Sequence, residues 1–287
     1  MAVLTVQNLI HSYSTGTPFE KRALNGVDFE FSSGEIVALI GHTGSGKSTL
    51  LKHLNGLLKP DSGDVLLDGK SIFENKKTLY DCRFKIGLCF QYPEQQLFES
   101  TLYRDIAFGP SNMKLSADEI DRRVKKAMDF VGLPYEYLEN SPFDLSGGEK
   151  RRAAIAGVLA MEPSVLILDE PTAGLDPAGK KSLLKLILNY NAETGATVIF
   201  VSHNMDDVAA VSNRVLVMQN GGVALSGDVA SVFSQAEKLT EMGLDVPEIT
   251  RVILELKKQG VDVDGGIFTV EDAKAALLSY LGKGACK

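Results

Sequence analysis

Eight consecutive residues, Gly41-His42-Thr43-Gly44-Ser45-Gly46-Lys47-Ser48, carry the clearest chemical signal in the chain. They fit G-x-x-x-x-G-K-[ST], a loop that joins a strand to a helix and binds phosphate. Glycines let backbone N–H groups turn inward around phosphate oxygens, and the helix start adds partial positive charge. Lys47 would reach the outer phosphates, and Ser48 would offer its hydroxyl to Mg²⁺. The bland alternative is a glycine-rich turn with a chance lysine. The apolar run before the loop and the helical pattern after it argue against that.

Asp169 and Glu170 follow the apolar run Val165-Leu166-Ile167-Leu168. A buried strand that delivers acids at its C-terminal end is where α/β sheets place ligand chemistry. Asp169 would hold the magnesium through water, and Glu170 would deprotonate or polarise an attacking water. Acids at a strand end can also simply begin a loop. Gln91 follows a strand-like segment, Ile86 to Phe90, where it could touch both metal and water. His203 follows Ile199 to Ser202 and could contact a γ-phosphate, although a lone histidine there can also be structural. Tyr13 could stack on a base or fill a core.

A second phosphate-reading feature is Ser146-Gly147-Gly148-Glu149. Ser146 and Glu149 are spaced as a capping box at a helix start. The two glycines are costly in a first helical turn. They leave N–H groups open to close approach by a phosphate. The loop at 41–48 already surrounds one side of a nucleotide. The second helix start is therefore most useful against a nucleotide held by another subunit.

Positioning these groups takes alternating strands and helices. Ile36 to Ile40 suits a strand buried on both faces. Ser48 to Leu58 reads as a helix stopped by Lys59-Pro60. Thr197 to Val201 is a further strand, and Leu183 to Asn189 a crossover helix before it. This order points to a parallel sheet wrapped by helices. Residues 1–35 read as short antiparallel strands with an irregular insert at Ser14 to Arg22, and Val65 to Gly69 as a hairpin. Residues 94–161 are charged and mostly helical, and Asp118 to Val131 is amphipathic. Short strands return near Gly221-Gly222. From about Val229 the composition shifts. Ile249, Val252, Ile253 and Leu256 fall at helical spacing, and Thr269 with Asp272 would cap a last helix.

The chain has 287 residues, 44% hydrophobic, with a net charge of −7. That balance argues against nucleic acid as a partner. Three cysteines, Cys82, Cys89 and Cys286, show no metal-binding spacing, as expected of reduced thiols in a cytosolic protein. The N-terminal MAVLTVQNLI does not resemble a signal peptide. No window approaches 18 uncharged apolar residues, so work at a membrane would require a partner.

Tyr13, GHTGSGKS, Gln91, LSGGE (Leu145 to Glu149), VLILDE, Gly174-Leu175-Asp176 and His203 occur in the order found in ABC transporter ATPases. They resemble that family's A-loop, Walker A, Q-loop, signature, Walker B, D-loop and H-loop. Glu149 departs from the family's more frequent glutamine. The resemblance implies an α/β P-loop NTPase over residues 1–228. Its RecA-like core would carry an antiparallel β subdomain and a helical subdomain at about 94–161. Residues 229–287 would form a small C-terminal dimerisation or accessory domain. ATP and Mg²⁺ are the implied cofactors, held by Tyr13, Gly41 to Ser48 and Thr49. Ser48, Gln91 and Asp169 would serve the metal; Glu170, His203 and Gln91 would serve catalysis. Ser146, Gly147 and Gly148 would act in trans, across a dimer with a second ABC ATPase, identical or different.

A narrower resemblance rests on YPEQQLF (Tyr92 to Phe98), GTPFE (Gly16 to Glu20), EKRRAAIAGVLAMEP and VPEITRV. These are similar to the second of the two ATPase subunits of energy-coupling factor (ECF) transporters. That family drives uptake of vitamins and of transition-metal ions such as cobalt and nickel. Its partners are a transmembrane coupling protein and a substrate-binding membrane protein, so the chain would lie peripherally at the cytoplasmic face of the cell membrane. Leu97 and Phe98 would give apolar contact to the coupling protein, and Glu94 or Glu99 would meet a basic residue there. Rival readings are an ATPase of another importer class and a soluble ABC ATPase acting on DNA or ribosomes. The latter usually has two cassettes or a long coiled-coil insertion, and neither is present.

Overall fold

Two strands open the chain, β1 (Ala2–Tyr13) and β2 (Lys21–Ser32), each of twelve residues. They are longer than their sequence pattern suggests. Register shifts interrupt their pairing at several points, and Asn8 has a φ of 43°, so the alternation breaks into pieces. The computed structural model describes residues 2–261, 263 and 266–284, so Cys286 lies outside the described residues.

Next come β3 (Ile36–Ile40), α1 (Lys47–Leu54), β4 (Ser62–Leu67) and β5 (Lys70–Ser71). Helix α1 stops four residues before the expected end. Asn55 caps it, and Gly56 turns the chain at a φ of 68°. Asp68 and Gly69 join β4 to β5 at φ values of 51° and 76°, the positive pair that a tight hairpin turn requires. Helix α2 (Lys76–Lys85) buries only Cys82, so no apolar stripe announces it; its sign is the Asn75 cap. Strand β6 (Ile86–Cys89) follows, then a short 3₁₀ turn at Pro93–Gln96.

The helical region holds α3 (Leu102–Asn112), α4 (Ala117–Val131) and α5 (Gly147–Leu159). Then come β7 (Val165–Asp169), α6 (Pro177–Thr194), β8 (Thr197–Val201), α7 (Met205–Val211), β9 (Arg214–Gln219) and β10 (Gly222–Asp228). Helix α6 extends well beyond the seven residues its apolar centre suggests. Asp176 caps its start, Pro177 opens it and Gly195 closes it in the left-handed region.

The first sheet is antiparallel, in the order β2-β1-β4-β5. The second runs β10-β9-β3-β8-β7-β6 and is parallel from β9 to β6. Every residue of β3 and β8 is buried. Their side chains alternate between two cores. Ile36, Ala38, Ile40, Val198 and Phe200 face the helical side. Val37, Leu39, Ile199 and Val201 face α1 and the first sheet. Each fully buried Leu, Ile or Phe contributes about 1.5–3 kcal/mol, so covering both faces locks the sheet in one place. Cys82 and Cys89 are free thiols, and burial pushes them up to about 11 and about 12 respectively.

Beyond Asp228 the described residues form α8 (Val229–Phe233), α9 (Ala236–Glu241), α10 (Glu248–Lys258) and α11 (Val270–Gly284). Val232, Phe233 and Leu239 join the helical-side core. Ile253, Val263, Ile267 and Ala273 form a small separate cluster, with Ile249 and Leu256 against it. Val252 departs from the expected stripe and is exposed. Thr269 caps the last helix as expected: its Oγ1 accepts from Asp272 N and its hydroxyl donates to the Asp272 carboxylate. No described helix is long and apolar enough to cross a membrane.

Candidate active site

Parallel strands end on the same edge of a sheet, and adjacent strands lie about 4.8 Å apart. The neighbours β6, β7 and β8 therefore deliver Gln91, Glu170 and His203 side by side. Glu170, in the middle, bonds to both: Gln91 Nε2 donates to its Oε2 at 2.8 Å, and His203 Nε2 lies 2.9 Å from its Oε1. Glu170 itself stands at a φ of 48°, a sparsely populated conformation for a non-glycine residue and one that recurs at functional sites.

Strand β3 feeds the glycine loop into the same region. Tyr13, Lys21, Ala23, Thr43, Gly44, Gly46, Lys47, Ser48, Thr49, Gln91, Glu170 and His203 line one cavity of about 350 Å³. Gly41 and Gly46 are sterically required. A Cβ on Gly41 would stand 2.4 Å from Met218 O, and one on Gly46 2.6 Å from Ala23 O. Lys47 Nζ donates to the carbonyls of Gly41 at 2.5 Å and His42 at 3.0 Å. Burial lowers its pKa, against the pull of Glu170 and Asp169.

Asp169 is held above the usual carboxylate range. Burial raises its pKa first and the neighbouring Glu170 carboxylate second, while a Ser48 hydrogen bond and Lys47 only partly compensate. A carboxylate beside a hydroxyl suits a hard cation with oxygen ligands, as Mg²⁺ is. Ser45 Oγ is buried without a hydrogen-bond partner among the described residues. His42 turns its Nδ1 to Thr43 O at 2.8 Å. Tyr13, 40% exposed, stands at the cavity rim rather than in a core, its hydroxyl 3.2 Å from Thr49 Oγ1. Lys21 was not singled out from the sequence. It lies in the pairing register of Tyr13, and no motif marks it.

Ser146, Gly147 and Gly148 are absent from this cavity's lining. They form the exposed tip of α5, where the capping box is present: Glu149 N donates to Ser146 Oγ at 3.4 Å, and Ser146 N to Glu149 Oε2 at 2.8 Å. A Cβ on either glycine would meet nothing within 4 Å. Nothing among the described residues calls for glycine there.

The ABC transporter family model matches residues 24–173. The energy-coupling factor transporter ATP-binding protein EcfA2 of Clostridium perfringens is 54% identical over 97% of this chain and 98% of its own length. The chain belongs to the EcfA2 family. The EcfA2 of Clostridioides difficile is 49% identical over 99% of both chains. Among solved structures, cbiO1 from Clostridium perfringens, part of the ABC transporter complex cbiONQ, superposes with a TM-score of 0.75 at 42% identity. That match covers 88% of this EcfA2-family chain and 98% of cbiO1. An ATP-binding cassette solved as a dimer with ADP and Pi superposes with a TM-score of 0.70 at 28% identity, covering 79% and 98% of the two chains. This EcfA2-family chain is thus an ABC-type ATPase of the energy-coupling factor class.

Proposed function

We propose that the chain binds Mg-ATP in the cavity of the glycine loop and hydrolyses it in a centre completed by a second ATPase subunit. The observation that carries this reading is the division of the motifs. The loop, Gln91, Glu170 and His203 share one cavity, and the α5 tip lies outside it with open glycines. The dimeric relative with ADP and Pi supports such pairing.

In this reading Lys47 and the loop amides hold the phosphates, and Tyr13 stacks on the base. Glu170 draws the proton from the attacking water while Gln91 and His203 orient its carboxylate. Bound at Ser48, Asp169 and Gln91, Mg²⁺ would neutralise charge on the outer phosphates. The partner's copy of the α5 tip would close over the γ-phosphate.

We further propose that the segment after Gln91 docks a transmembrane coupling protein, which in turn serves a substrate-binding membrane protein. The chain would then sit peripherally at the cytoplasmic face of the membrane, in a transporter of vitamins or transition-metal ions. A different polypeptide would choose the cargo. Phe98 and Phe108 are 58% and 48% exposed and meet edge to face at 5.1 Å. Beside them a groove of about 160 Å³ has a floor of small residues, including Ala153, Ala154 and Gly157. Leu97 is largely buried in the helical-side core and also lines this groove, so it offers the groove an apolar wall rather than an exposed side chain. Glu94 is likewise already paired, with Arg151. Cysteines introduced at Gln96 and Phe98 are expected to crosslink to the membrane subunit of the assembled transporter. Absence of any crosslink would remove the docking role.

Residues 229–287 are proposed to aid pairing of the two ATPases. Val270, Leu278 and Leu281 leave α11 with exposed apolar side chains that a partner would cover. Removing this segment is expected to weaken association measured by analytical ultracentrifugation. Unchanged association would reject the role.

A further inference from the structure

Arg151 lies in the second turn of α5 and is only 5% exposed. A guanidinium is rarely buried unless its donors are met. Here they are met by two separate chain segments. Nε and Nη2 grip Glu94 in a two-pronged pair, to Oε2 and Oε1 at 3.1 Å each. Nη1 donates to the carbonyls of Ala173 at 2.6 Å and Pro171 at 3.2 Å. The guanidinium also lies 5.9 Å from the centroid of the Tyr92 ring.

The two gripped segments follow directly from Gln91 and Glu170, which bond to each other at 2.8 Å. The contacts therefore close a ring: Gln91 to Glu170, along the loop to Pro171 and Ala173, through Arg151 to Glu94, and back to Gln91. Tyr92 and Glu170, both in the left-handed region at φ values of 56° and 48°, lie within that ring. Such conformations persist only where surrounding contacts hold them.

We propose that Arg151 is a positioning residue that ties the segment after Gln91 to the loop after Glu170, and so sets the Gln91–Glu170 geometry. The proposal deepens the ATPase reading above and rests on it for its kinetic readout. Because Arg151 rides on α5, the same side chain joins both loops to the helix whose tip is offered to the partner subunit. Lysine cannot substitute, since it lacks the planar fork that meets a carboxylate and two carbonyls at once.

The test uses full-length Arg151→Met, Arg151→Lys and Glu94→Gln in the ATPase dimer. A misplacement of the hydrolytic group of about 1 Å costs roughly 10²-fold in rate, so Arg151→Met should lower kcat by about that much. KM for Mg-ATP should hold within about twofold, because the phosphate loop is untouched. Arg151→Lys should stay impaired. Glu94→Gln carries the decisive readout, amide hydrogen exchange. Ala173 N bonds to Glu170 O at 3.1 Å and Leu175 N to Thr172 O at 3.3 Å. Glu94 has no hydrogen bond to either amide, yet both should exchange faster in Glu94→Gln. A residue of purely structural importance would lower Tm without that selective effect. Exchange confined to residues 92–98, wild-type kcat in Arg151→Met, or full rescue by lysine would each overturn the proposal. If wild-type dimer fails to hydrolyse ATP, the functional reading falls, while the exchange arm still judges the linkage.

Discussion

Replacing Glu170 with glutamine is expected to leave ATP binding intact and to slow hydrolysis by roughly 10²–10⁴-fold, the usual contribution of a general base. The two side chains have the same shape, so the β-branched or glycine-specific backbone effects that complicate other substitutions at a φ of 48° do not arise. One amide oxygen can still accept from Gln91, whose donor sits 2.8 Å from the carboxylate. What disappears is the capacity to take a proton. The loss corresponds to about 3–5 kcal/mol of transition-state stabilisation. Equilibrium binding of a fluorescent ATP analogue, measured beside single-turnover hydrolysis, separates the two effects. An undiminished rate would remove Glu170 from the base role.

Ser146→Arg is expected to abolish hydrolysis while preserving nucleotide binding. Within one chain the substitution is mild. Ser146 is exposed, and the adjacent glycines have free space around them. The local cost is the lost N-cap, about 1 kcal/mol. The cavity of the glycine loop has no lining residue from this tip. A strong effect on turnover can then arise only where the tip meets another subunit, with a bulky side chain thrust at the phosphate it should receive. ATPase assays across a dilution series are the measurement. If Ser146→Arg, held monomeric, hydrolyses at the wild-type rate, the shared centre is wrong.

Much of this site could be read from local pattern. The glycine loop has a strict spacing, and its flanking strand and helix are each visible in a few residues. The acids at 169 and 170 stand out because four apolar residues precede them. The contact of Glu170 with both Gln91 and His203 was not legible. It depends on strand order, and no local pattern states that β7 lies between β6 and β8. Arg151 was hidden for a similar reason. In sequence it is one base in a run of three, Lys150 to Arg152, and only burial distinguishes it from solvated neighbours. Helix α2 escaped because it packs by little more than Cys82, and the full length of the β1–β2 strands, though not their antiparallel pairing, because bulges break the alternation that strands normally show.

The strand order has a consequence for how the molecule tolerates heat and motion. Gln91, Glu170 and His203 sit at the ends of three neighbouring strands joined by ladder hydrogen bonds. Prising them apart means unzipping the sheet, so thermal disruption of this cluster should coincide with global melting. The α5 tip stands outside this ladder, and Arg151 carries any shift of α5 to the loops after Gln91 and Glu170. A displacement of the tip would therefore reach the sheet's edge through that guanidinium without unzipping a strand.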